Sequence, residues 1–203
     1  MDEKNFSRKE RENFRRRQEI LEIALKLFSE KGFHNVTMQE IAKESEFSVG
    51  SLYNFFSNKE DLYNALIADS SSIFHSRLMN SLNIDGNELE KIESWAVEFV
   101  KLFNEHIDIV KLYLAETMGI SYNVKFNLSE DIRRNYEEMI NSLREVFEIG
   151  IKNKFFKNIN SHLLAVGLAG LANTLLFEAI ANPNKLRVSA ENILEIFFDS
   201  VKF

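Results

Sequence analysis

The chain has 203 residues, room for one small and one medium domain, with 45% hydrophobic and 28% charged residues and a formal net charge of −6. No cysteine is present, which excludes disulfides and thiolate metal sites. One proline and seven glycines leave few of the turns that strands need, so the composition reads as all-helical, with 18 phenylalanines to fill the core.

The charge is unevenly spread. The first 17 residues hold seven basic residues (Lys4, Arg8, Lys9, Arg11, Arg15, Arg16, Arg17) against four acids (Asp2, Glu3, Glu10, Glu12). Residues 1–60 balance, with 11 of each sign, so the whole excess of acid lies further on. An acidic body with a basic tip can still bind phosphates, because local charge decides contact. The charged N-terminus lacks the apolar core of a signal peptide. The longest apolar stretch, Leu163 to Phe177, spans 15 residues and contains Asn173 and Thr174. That is short of the roughly 20 a membrane span needs. A cytoplasmic chain without a membrane partner is the expectation.

In chain order, Ile20, Ile23, Ala24, Leu27 and Phe28 form the apolar stripe of a first helix, about Asn13 to Lys31. Gly32 suits a left-handed cap, and Phe33 can fold back on the helix end. Thr37-Met38-Gln39-Glu40 reads as a capping box opening a short second helix that turns Met38, Ile41 and Ala42 inward and ends near Ser45. Ser48 opens a third helix as N-cap, with Val49, Leu52 and Phe56 inward. A fourth begins at Ser57-Asn58-Lys59-Glu60-Asp61, acids in its first turn, and runs to about Leu82. The remainder predicts five helices, about 88–106, 107–118, 129–154, 160–181 and 187–202.

Two short helices joined by a tight turn and braced by a longer one make a helix-turn-helix, a corner that many helical proteins also contain. The residues are more specific. Phe28-Ser29-Glu30-Lys31-Gly32-Phe33, Val36 to Ala42, Ser48 to Phe56 and Ser57 to Leu62 occur in order and closely resemble the TetR family of regulators over about residues 15–65. Further on, only helix number and length resemble it.

The resemblance implies an all-α fold of about nine helices. Residues 1–60 would form a three-helix DNA-binding domain with a basic N-terminal arm, and 61–203 a helical effector-binding and dimerisation domain. It also implies that the third helix enters the major groove, presenting Val49, Gly50 and Ser51. Gly50 lets the backbone approach closely, and Ser51 can donate or accept at a base edge. Thr37, Tyr53, Asn54 and Lys59 would meet phosphates. Ser48 stands at the same end. The plainer alternatives are a half-buried Tyr53, pure caps at Thr37 and Ser48, and a solvated Lys59. Glu46 stands where the family usually has glycine. A left-handed glutamate costs about 1–2 kcal/mol, which puts the shape of the turn in question. Phe55 replaces a residue that often reaches a phosphate, so that contact is expected to be lost. The run Arg15-Arg16-Arg17 reads equally as a DNA-reaching arm or as a solvated helix start.

Helices 160–181 and 187–202 are apolar on about two faces where one would suffice, so part of that surface should meet a second copy. Leu164, Gly167, Leu168, Leu171, Leu175, Ile193, Phe197 and Val201 are the expected interface. Two recognition helices one turn of DNA apart would then read a near-palindromic operator. The central helices carry Trp95, Phe99, Phe103, Tyr113, Met118, Tyr122 and Tyr136, and the next bears Asn173 and Phe177. These would line an effector pocket of mostly apolar character, or simply fill the core. The four histidines lack ligand spacing, and no phosphate loop or nucleophile elbow is present, so neither enzyme, cofactor nor metal is expected. The reading is a sequence-specific repressor released by a small, mostly apolar ligand. The alternatives are a helical protein–protein adaptor, or a DNA-binding regulator without an effector.

Overall fold

The computed structural model describes residues 7–118, 130–184 and 187–201, with the side chains of 113–118 and 200 outside that description. Among the described residues the chain forms nine α-helices, one 3-10 turn and no strand. They are α1 (Arg8–Lys31), α2 (Met38–Glu44), α3 (Val49–Tyr53), α4 (Lys59–Leu82), α5 (Glu88–Glu105), α6 (Ile107–Met118), α7 (Glu130–Lys152), α8 (Ser161–Ala181) and α9 (Ala190–Val201). The 3-10 turn, Phe33–Asn35, joins α1 to α2.

Helix α1 starts five residues earlier than its apolar stripe predicts. A capping box explains this: the Ser7 amide donates to Glu10 Oε2 at 2.7 Å, and the Glu10 amide donates to Ser7 Oγ at 3.3 Å. The stretch from Arg8 to Arg17, expected as an arm or a solvated helix start, is therefore helical. The stripe Ile20, Leu21, Ala24, Leu27 and Phe28 is buried. Gly32 ends the helix with φ of 81° and ψ of 148°, a positive φ but not the left-handed helical cap expected. Phe33 does fold back, its ring 5.3 Å from that of Phe28.

The chain divides into two compact units, one of Met1–Ser70 with Asp108–Asn127, the other of Ser71–Ile107 with Leu128–Phe203. This differs from a boundary at residue 60. Helix α4 is unbroken from Lys59 to Leu82, with no glycine or proline, so no linker exists there.

In the second unit, α7 packs on α8, and α5 packs on α7, α8 and α9. Trp95, Leu143, Phe147, Phe156, Leu168 and Ile193 are fully buried at its centre. The Phe147 ring lies 5.1 Å from Phe156 and 5.7 Å from Phe197. Gly150 makes this possible: a Cβ there would sit 2.4 Å from the Phe156 ring. A second capping box, missed in the periodicity but present as Asn87-x-x-Glu90, opens α5. Helix α8, at 21 residues, is long and apolar enough to cross a membrane by length and composition alone, more so than its sequence stretch suggested. Its Leu164, Ala165, Leu168, Ala169, Ala172 and Leu176 instead face the unit's own core.

Candidate nucleic-acid interface

The reading head is built on Val36, Met38, Ile41, Ala42, Leu52 and Phe56, all buried. Thr37 caps α2 by accepting the Glu40 amide at 3.2 Å. Only half of the expected capping box forms. The Glu40 carboxylate does not reach back; it takes the Lys31 ammonium instead. That pairing lowers the Glu40 carboxyl below its ordinary value and raises Lys31 above its own, chiefly through the shared hydrogen bond.

The turn between α2 and α3 keeps its left-handed residue. Glu46 has φ of 59°, its amide donates to Lys43 O at 3.2 Å, and Phe47 N donates to Ala42 O at 2.9 Å. The glutamate thus accepts the strain that glycine would avoid. Phe55 is half-buried with its ring 6.5 Å from Phe47, so it braces the turn and offers no donor outward.

Ser48 caps α3, accepting the Ser51 amide at 3.1 Å, and the two hydroxyls lie 2.8 Å apart. The Ser51 hydroxyl is therefore already paired within the first turn of α3. Gly50, Tyr53 and Asn54 are exposed, and Val49 and Ser51 half-buried. Tyr53 is 48% exposed, which removes the reading as a core aromatic. A Cβ on Gly50 would meet nothing within 4 Å, so this end of α3 is open to a partner.

Lys59 is half-buried and engaged by the protein itself. Its ammonium donates to Phe33 O at 2.7 Å and Val36 O at 2.8 Å, with Nζ 4.4 Å from the centre of the Phe33 ring. No periodicity announces this role. The signal would have been the carbonyls that a single 3-10 turn leaves unpaired. Arg17 lies over the Phe56 ring and pairs with Asp69 at 2.7 Å, while Arg16 pairs with Glu12 and Arg15 with Glu12 and Glu19.

In the second unit, Trp95 is fully buried and stacked on Phe99 at 5.0 Å, and Phe103 is buried. Trp95 Nε1 finds no acceptor among the described residues. Asn173 and Phe177 are half-buried on α8. Tyr136 is 50% exposed on α7. The side chains of Tyr113, Met118 and Tyr122 lie outside the described residues. A cavity of about 360 Å³ opens between α5 and α9, lined by Glu93, Val97, Ala190, Leu194, Glu195 and Phe198, none of them an expected pocket residue.

The expected interface also changes. Leu164, Leu168, Ile193, Phe197 and Val201 are buried within the chain's own core, and Leu171 and Leu175 pack partly against it. A helix apolar all round carries no period to tell its two sides apart. The exposed stripe of α8 is Leu163, Val166, Gly167 and Gly170, with Ile196 exposed on α9. Among the described residues no group of histidines and carboxylates could hold a metal ion.

Two short helices joined by a tight turn, the second with an open end and an exposed Tyr53 and Asn54, define a helix-turn-helix. The chain is a DNA-binding transcriptional regulator. Residues 20–66 match the model of the bacterial regulatory proteins of the tetR family. The chain is 25% identical over 142 residues, 70% of each chain, to the HTH-type transcriptional repressor KstR2 of Mycobacterium tuberculosis. The structure of that ketosteroid regulator superposes with a TM-score of 0.70 at 20% identity, covering 93% of this chain and 95% of the other. FadR from Bacillus subtilis in complex with stearoyl-CoA gives 0.72 at 18% identity, covering 89% and 96%. AibR in complex with isovaleryl coenzyme A and operator DNA gives 0.69 at 19% identity, covering 91% and 97%.

Proposed function

We propose that the chain is a cytoplasmic, homodimeric repressor whose second unit binds a small, mostly apolar effector that releases it from a near-palindromic operator. The observation that carries the effector is Trp95. Its indole N–H is buried without an acceptor among the described residues, which costs about 1–3 kcal/mol, and a polar group on a bound ligand would supply a partner. Phe99, stacked on Trp95, and Phe103 on the same helix are apolar, which suits an acyl chain or fused ring carrying few polar atoms. The coenzyme A esters bound by FadR and AibR make acyl thioesters the class to try first.

For DNA, Gly50 and Ser51 at the open end of α3 would read bases, while Tyr53, Asn54 and the Thr37 hydroxyl would touch phosphates. The copies would join through the exposed stripe of Leu163, Val166, Gly167 and Gly170 with Ile196, where the two glycines let helices approach closely. The effector acts only through its different affinity for operator-bound and released arrangements.

Trp95 is the chain's one tryptophan, so its fluorescence reports this site alone. Stearoyl-CoA and isovaleryl-CoA are titrated while DNA binding is followed by gel shift on fragments flanking the encoding gene. A saturable change in Trp95 emission matched by loss of the shifted band supports the reading. DNA binding indifferent to both esters, with no change in emission, counts against these ligands as effectors.

A further inference from the structure

We infer that Lys59 is a clasp that shapes the reading head, and that it governs which DNA sequence is preferred rather than how strongly phosphates are attracted. An ammonium has three N–H donors. Two are taken by Phe33 O and Val36 O, and the Phe33 ring lies against the same group. Two of the three donors are therefore turned into the protein, toward the segment between α1 and α2.

Lys59 and Val36 stand 23 positions apart, and everything that would face DNA lies between them: Thr37, Ser48, α3 and Asn54. The bond closes that stretch into a ring. Inside it, α2 has seven residues and α3 has five, too short to hold their own shape in water. Val36 is fully buried and fixes one side of the closure; Phe33, edge-on to Tyr63 at 5.1 Å, fixes the other. With the clasp in place, the start of α2 and the open end of α3 keep a set separation. Without it, the Phe33 and Val36 carbonyls lose their donor, and the ring relaxes while the outward cations stay where they were.

The inference rests on α3 being the reading helix. The test compares wild type, Lys59→Met and Lys59→Arg on a duplex selected from a randomised pool by the wild-type protein, and on a duplex that was not selected, over a range of salt. Lys59→Met is expected to lower affinity for the selected duplex about tenfold or more. Affinity for the other duplex, and its salt slope, should stay unchanged. Lys59→Arg should keep most of the preference, since a guanidinium can donate to both carbonyls. A loss that is equal on both duplexes, with the salt slope reduced by about 0.9, is the signature of a lost phosphate contact and overturns the clasp. So does no change at all. If Lys59→Met fails to fold, Phe33→Leu removes the ring and leaves the carbonyls. It should weaken the preference at constant salt slope, and an undiminished preference overturns the inference. Gly50→Leu, at a position where a Cβ would meet nothing within 4 Å, is the control on the reader itself. If it leaves the preference intact, α3 is not the reading helix, an outcome separate from any result at Lys59.

Discussion

Helices α2 and α3 together bury four side chains, Met38, Ile41, Ala42 and Leu52, whereas α5 and α8 bury eleven. The first unit compensates with directional contacts: the Thr37 and Ser48 caps, the Lys31–Glu40 pair, the Lys59 clasp and a turn held by Phe47 and Phe55. The second is held by interlocked rings around Phe147 and Phe156. A reader with little core depends on geometry at single atoms, and a body with a large core depends on volume. Substitutions should therefore fail in different ways in the two units.

The largest effect belongs to volume. Phe147→Ala should lower stability by about 3–5 kcal/mol in urea titrations monitored by Trp95 emission. A loss below about 1 kcal/mol would mean the ring cluster does not hold the second unit. Next comes Leu163→Asp. This side chain is 65% exposed, so the fold should survive while sedimentation shows monomers and operator affinity falls by more than tenfold. A dimer that persists would move the interface elsewhere. Tyr53→Ala in the reader should reduce DNA affinity by about tenfold yet leave stability within about 0.5 kcal/mol, because the ring stands in the open. Unfolding of this variant would show that the ring is structural after all.

Glu46→Gly should raise stability by about 1 kcal/mol by relieving the left-handed strain. Calorimetry decides it, and a lower melting temperature would mean that the side chain does something the turn needs. The smallest effect is a pH response. The folded Glu40 carboxyl is held below its ordinary value of 4.5, so the contribution of its pair with Lys31 is present above that value and fades as pH falls through the folded one. Lys31→Met should flatten this acid limb in a pH series of melting curves. An unaltered limb would detach the pair from the stability of the reader.

The reader was legible where its signals are local. The caps at Thr37 and Ser48 and the fold-back of Phe33 are written in adjacent residues, and all form. What escaped there is non-local: Lys59 reaching carbonyls far back in the chain, and Glu40 choosing Lys31 over its own backbone. In the second unit helix placement was equally plain, but helix orientation was not. Leu164 and Leu163 are adjacent leucines, one buried and one exposed, and only packing separates them. For the same reason Val97, an unremarked apolar residue on α5, lines the described cavity, while Tyr136, a candidate by its ring, stands in solvent.

The left-handed glutamate at 46 also bears on how this protein could change. Codons for glutamate and glycine differ at the central base alone, so the relaxed turn is always a single nucleotide away. Backbone strain disappears in that step, and a negative charge leaves the turn between α2 and α3. Selection in the laboratory for heat resistance should reach position 46 early.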